Sequence, residues 1–129
     1  SPQIHHCVHK ALRIIGLEDV QIRYVALDEN SRIVSEDLER KIETDKAEGL
    51  NPFVIIASAG TTDTGAIDPL EEIGEISKKN GLWYHVDGAY GGFFMLTEQG
   101  KEKMKGIERS DSLVIDPHKG LFLSYGLAK

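Results

Sequence analysis

Apolar residues along this chain switch between two spacings, and each switch marks an element. Over residues 4–15, Val8, Leu12 and Ile15 fall four and three apart, which predicts a helix with one apolar face and Gly16 as its C-terminal cap. "VQIRYVAL" (20–27) is rich in β-formers and predicts a strand. The polar turn "LDENSRIV" follows. Ser35 then stands where a cap belongs, before a charged helix reaching Glu48 with Leu38 and Ile42 facing inward. "FVIIASAG" (53–60) is one continuous apolar run ending in small residues, the pattern of a strand buried on both faces. After "TTDTGAID", Asp68 reads as an N-cap with Pro69 at the first helical position and an acid two residues on, opening a helix that ends near Asn80-Gly81. "LWYHVD" (82–87) is the next buried strand, a helix is predicted over 97–105, and "DSLVID" (111–116) is another strand.

Helix and strand therefore alternate four times, with strands that are nearly all apolar. That pattern predicts an α/β fold, a mostly parallel sheet flanked by helices. With no repeat, low-complexity tract or linker, the chain reads as one unit, 1–129, without an internal boundary. Its 15 basic residues are scattered under a net charge of −6, which argues against a nucleic-acid surface. No apolar run approaches the roughly 20 residues of a membrane span, and "SPQIHHCVHK" lacks the apolar core of a signal peptide. A single cysteine, Cys7, excludes an internal disulfide and suits a reducing cytoplasm. The missing initiator methionine, and an end just past a hydrophobic run, are what a piece of a longer protein would show.

Ligands of such sheets gather at the carboxyl ends of strands. Three ends here are chemically unusual: 58–64, 87–92 and 116–119. "HVDGAYGGF" places Asp87 at the end of a buried strand, where a lone carboxylate costs several kcal/mol unless something pairs with it. "DPHKG" places Lys119 after another strand, where a partly desolvated amine can attack a carbonyl. The two could simply form a buried ion pair. Gly88, Ala89, Gly91 and Gly92, however, leave room for a flat ligand between them. An aldehyde carrying a basic ring nitrogen satisfies both groups at once, and that is the chemistry of pyridoxal phosphate.

These residues resemble the pyridoxal-phosphate-dependent group II amino-acid decarboxylases, which include the aromatic-amino-acid, glutamate and histidine enzymes of animals. "SPQIHHCVHKALRIIG" and "ASAGTTDTGAIDPLEEIG" fit as well, so the resemblance runs the length of the chain. It implies a fold-type I large domain, here in part and without the small C-terminal domain. It also implies decarboxylation of an L-amino acid through a Schiff base on Lys119, and a cytoplasmic homodimer. By that resemblance Asp87 pairs with the ring nitrogen, Ala89 lies against one ring face, His118 contacts the phosphate, and Thr62 lies near the ring hydroxyl or the substrate carboxylate, with Thr61 a close rival. The family stacks a histidine on the other ring face. Helix phase selects His5, which shares the face of Val8, Leu12 and Ile15, over His6 and His9. Gly88 stands where the animal enzymes often have alanine, and Gly120 where they often have a bulkier residue.

Other readings compete. A sphingosine-phosphate-lyase-like or cysteine-desulfurase-like enzyme also pairs a strand-end aspartate with a histidine-lysine step, and a non-catalytic module could keep the fold. The His5-His6-His9 set lacks a supporting acid or a second ligand element, which argues against a metal.

Overall fold

The structure, a computed structural model, describes residues 1–126. Three parallel strands, β1 (Val54–Ser58), β2 (Trp83–Asp87) and β3 (Ser112–Val114), lie in that spatial order, with β2 in the middle. Helix α1 (Cys7–Ile14) and helix α2 (Ser35–Ala47) precede them. Helix α3 (Leu70–Asn80) joins β1 to β2. A 3-10 stretch at Gly92–Leu96, α4 (Glu98–Lys103) and a second 3-10 turn at Ile107–Arg109 join β2 to β3, and one helical turn, α5 (Pro117–Gly120), follows. Each crossover carries a helix, as parallel pairing requires.

The core lies between the sheet and α3. Ile55 and Ala57 of β1 and Tyr84 and Val86 of β2 point to this side and are at most 6% exposed, against Leu70, Ile73 and Ile76 of α3. Burying each large aliphatic side chain stabilises the fold by about 1.5–3 kcal/mol. The phenol of Tyr84 donates to the Leu70 carbonyl at 3.1 Å, and burial pushes its pKa up. The alternate residues face the other way and are less covered; Trp83 is 55% exposed. The expectation of strands buried on both faces is met only in part: among the described residues one face of the sheet is closely packed and the other is partly covered.

The expected strand at 20–27 is also absent. The segment runs extended with one isolated antiparallel bridge, Leu27 to Ile33. Its polar groups are taken by neighbours other than a strand. Ala26 donates its N–H to the Asp37 carboxylate of α2 at 2.8 Å and accepts from Val34 at 3.0 Å, while Arg23 pairs with Asp45 at 2.9 Å. A cavity of about 310 Å³, lined by Val8, Leu12, Ile22, Val25, Val54 and Ile56 among others, separates it from β1. β-Propensity was correct about extension, but a ladder also needs a partner.

Two expected caps do other work. Asp68 makes no cap to α3, whose N-cap is Pro69; Asp68 is 4% exposed, and its two oxygens accept from Ile33 at 2.8 Å and Ser58 at 2.7 Å. Ser35 is the first residue of α2, and its hydroxyl donates to Glu72 of α3 at 2.5 Å. At the other end of α3 the expected stop is present: Gly81 takes the left-handed conformation (φ 69°) that lets the chain turn into β2.

Candidate functional site

The register brings the three strand ends level, Ser58 beside Asp87 and Asp87 beside Val114. Asp87 is the last residue of the central strand and is half-buried. Its carbonyl accepts from Ala59 at 2.8 Å on one side, and the next amide, Gly88, donates to Val114 at 3.0 Å on the other. Its Oδ1 accepts from the N–H of Ala89 at 3.1 Å. Ala89 also accepts, through its carbonyl, from the N–H of Asp116 at 3.2 Å. One residue thus ties the acid of β2 to the segment after β3.

The glycines of this turn do not leave a vacancy. A Cβ on Gly91 would lie 2.7 Å from the Cα of Gly60, one on Gly92 2.7 Å from Ile115 Cγ2, and one on Gly88 3.2 Å from both Gly92 Cα and the Val114 carbonyl oxygen. The expectation that they empty a ligand slot is corrected: they let the 59–60 and 88–92 backbones touch, which fixes how the strand ends sit.

After β3, Pro117 opens α5 at its first position. Lys119, with 37% of its side chain exposed, puts Nζ 2.7 Å from Asp116 Oδ2, and His118 Nε2 lies 3.9 Å from the same oxygen. The His118 ring packs 4.3 Å from that of Tyr125. Among the described residues Lys119 and Asp87 form no ion pair; the lysine's partner is Asp116. The sequence marks Asp116 as part of an unusual strand end, 116–119, but gives it no role of its own. Its signal was available in "DPHK", where a proline-opened turn sets an acid three residues before a lysine, on the same side.

The loop after β1 holds Thr61 and Thr62. Thr61 Oγ1 accepts from Ala66 N–H at 3.1 Å and bonds Thr64 Oγ1 at 2.7 Å, so its hydroxyl closes the turn, while Thr62 is exposed beside it. Thr64 also donates to the Gln3 side chain at 3.5 Å, bringing the segment before α1 to this end of the sheet. His5 sits in that segment. It is exposed and precedes the helix, whose N-cap is His6, so the phase relation with Val8 and Leu12 does not extend to it. Val8 and Leu12 are half-buried, but Ile15 is 65% exposed. The His5 ring accepts from Cys7 N–H through Nδ1 at 3.3 Å and lies 4.1 Å from the His6 ring. No group of three or more His, Cys, Asp or Glu among the described residues is arranged to hold a metal.

The family described as "Pyridoxal-dependent decarboxylase conserved domain" matches residues 1–128. The chain is 42% identical over 125 residues to the aromatic-L-amino-acid decarboxylase of Bacillus atrophaeus, covering 97% of this chain and 26% of that protein. To the human cysteine sulfinic acid decarboxylase it is 42% identical over 119 residues, 92% of this chain and 24% of the other. Among solved structures, mouse CSAD in apo form superposes with a TM-score of 0.90 at 40% identity, over 96% of this chain and 26% of that one. The Catharanthus roseus tryptophan decarboxylase, solved with L-tryptophan, gives 0.88 at 35%, over 97% and 27%. The chain spans about a quarter of the length of the relatives it matches.

Proposed function

Because this chain belongs to the pyridoxal-dependent decarboxylases, we propose that the complete protein removes the α-carboxylate of an L-amino acid as carbon dioxide and leaves the matching amine. The residues at the strand ends fit pyridoxal phosphate: Lys119 offers a primary amine for its aldehyde and Asp87 a carboxylate for its ring nitrogen. His118 and Thr62 offer polar groups for the phosphate and the ring hydroxyl. When bound, the cofactor supplies an electron sink for the pair left at the α-carbon.

The observation that carries this reading is the linkage through Ala89. It holds Asp87 at the end of β2 and the Asp116–Lys119 turn after β3 in fixed relation. In this reading Asp87 Oδ1 is fixed by the Ala89 amide, and the other oxygen holds a proton on the ring nitrogen. Ala89 would support one face of the ring and His5 the other, which would fix the ring plane. Lys119, released from Asp116, would offer its amine to the aldehyde. Fixing the plane determines which substrate bond stands perpendicular to it, and so which bond breaks.

Borohydride reduction of the complete protein, followed by peptide mass spectrometry, tests the assignment. The expected result is a pyridoxyl adduct on the peptide containing Lys119. An adduct only on other lysines would overturn it. Scoring a panel of L-amino acids for carbon dioxide and amine then tests the reaction. Sulfide from cysteine, or aldehyde from a phosphorylated long-chain base, would point to a different lyase.

A further inference from the structure

We propose that Asp116 is the positioning residue of Lys119, holding its ammonium at the strand-end site whenever that nitrogen is not bonded to cofactor. The inference deepens the reading above and rests on Lys119 being the reacting amine. The pair is short, 2.7 Å, and is built within one turn: Pro117 starts the turn, and Lys119 N–H donates to the Asp116 carbonyl at 3.0 Å. The acid is itself held, since its amide donates to Ala89, the residue that also fixes Asp87. The two carboxylates of the site are thereby set at a constant spacing, one for each end of the ligand.

Exposure suits a resting place rather than a permanent bond. With 24% of the Asp116 side chain and 37% of the Lys119 side chain exposed, the pair is partly shielded. A fully buried pair would be costly to part, and a fully exposed one would hold little. A nitrogen engaged by a carboxylate must be released before it bonds anything else, so Asp116 controls how readily Lys119 reacts.

The test needs no turnover. The complete protein, freed of cofactor, is pulsed with acetic anhydride, and the rate at Lys119 is read by mass spectrometry against the exposed Lys78 and Lys103. Asp116→Asn is expected to raise the Lys119 rate relative to those references about threefold, the size suited to a partly exposed pair. Asp116→Glu, which keeps the charge, is expected to return it to within twofold of wild type. A purely structural role would not distinguish the two variants. An unchanged rate in Asp116→Asn, or a glutamate variant as fast as the asparagine one, overturns the proposal. If the asparagine variant fails to fold, the glutamate variant decides alone: a rate within twofold of wild type supports the pairing, and a threefold rise overturns it. The borohydride adduct is read separately, so failure of the lysine assignment and failure of the Asp116 role are distinguishable.

Discussion

Replacing Asp68 with alanine should cost more than any surface change in the chain. Its buried carboxylate is the acceptor for two backbone amides, Ile33 at 2.8 Å and Ser58 at 2.7 Å. A buried donor left without an acceptor costs about 1–3 kcal/mol. Asp68→Ala orphans two, giving about 2–6 kcal/mol, reduced by the relief of a buried charge. We expect a loss of about 3 kcal/mol, the two-orphan cost after that reduction. Asp68→Asn keeps one acceptor oxygen and turns its NH2 toward the other donor, so it should fall between alanine and wild type. Acidity adds a second signature. Burial is the larger influence on this carboxyl and raises its pKa, while the two amides pull the other way. The folded chain therefore keeps the proton to higher pH than the unfolded one. As pH rises from the unfolded value, about 3.9, through the folded one, wild-type stability falls by this linkage. Asparagine has no such proton to lose, so the margin of wild type over Asp68→Asn is widest at the acid end of that window and narrows with rising pH. Denaturation of the complete protein, with hydrogen exchange read at Ile33 and Ser58, measures both effects. An alanine variant within about 0.5 kcal/mol of wild type, the range of ordinary surface changes, or a margin that widens with pH, would refute the reasoning.

Asp87→Asn should keep cofactor bound but lose about 100-fold or more in kcat, since an amide stabilises a protonated ring nitrogen poorly; near-normal turnover would show that the electron sink does not depend on this acid. Gly91→Ala should lose about 1–3 kcal/mol by overpacking, because its φ of −89° is ordinary and the whole penalty is contact with the backbone of Ala59, whose carbonyl oxygen is nearest, and of Gly60. Gly65→Ala has open space and only its φ of +69° against it, so about 1 kcal/mol is expected; thermal melts that reverse this ranking would contradict the packing described.

The sequence read well where the determinants were local. Continuous apolar runs ending in small or acidic residues marked β1, β2 and β3, although only their alternate positions, Ile55, Ala57, Tyr84 and Val86, are deeply buried. Gly81 and Thr97 ended and began helices as their local chemistry dictates, Thr97 Oγ1 accepting from Gly100 at 3.0 Å. Asp68 misled for the same reason. Its neighbours Pro69 and Leu70 make a capping pattern, whereas its partner Ile33 lies 35 residues away and leaves no trace in the local spacing. The 20–27 segment misled because β-propensity reports how side chains fit a pleated, half-buried surface, and the local sequence does not say whether a partner strand supplies one. The placement of Asp87, His118 and Lys119 at neighbouring strand ends was legible. The glycines between them were read as room for a ligand, because nothing in a glycine's identity tells empty space from a neighbouring backbone.

The turn from Gly88 to Gly92 also bears on how this site can be altered. Because the N–H and C=O of one residue, Ala89, reach the two acids, their spacing depends on two backbone dihedral angles. An insertion or deletion of a single residue there would swing one hydrogen-bonding group away and break the correspondence between the acids. The 61–65 loop is closed mainly by its own hydroxyls and amides, and Gly65 has open space around it, so it can absorb changes of length. Changes of length are therefore better tolerated in the loop after β1 than in the turn after β2, whose present number of residues holds the two acids in place.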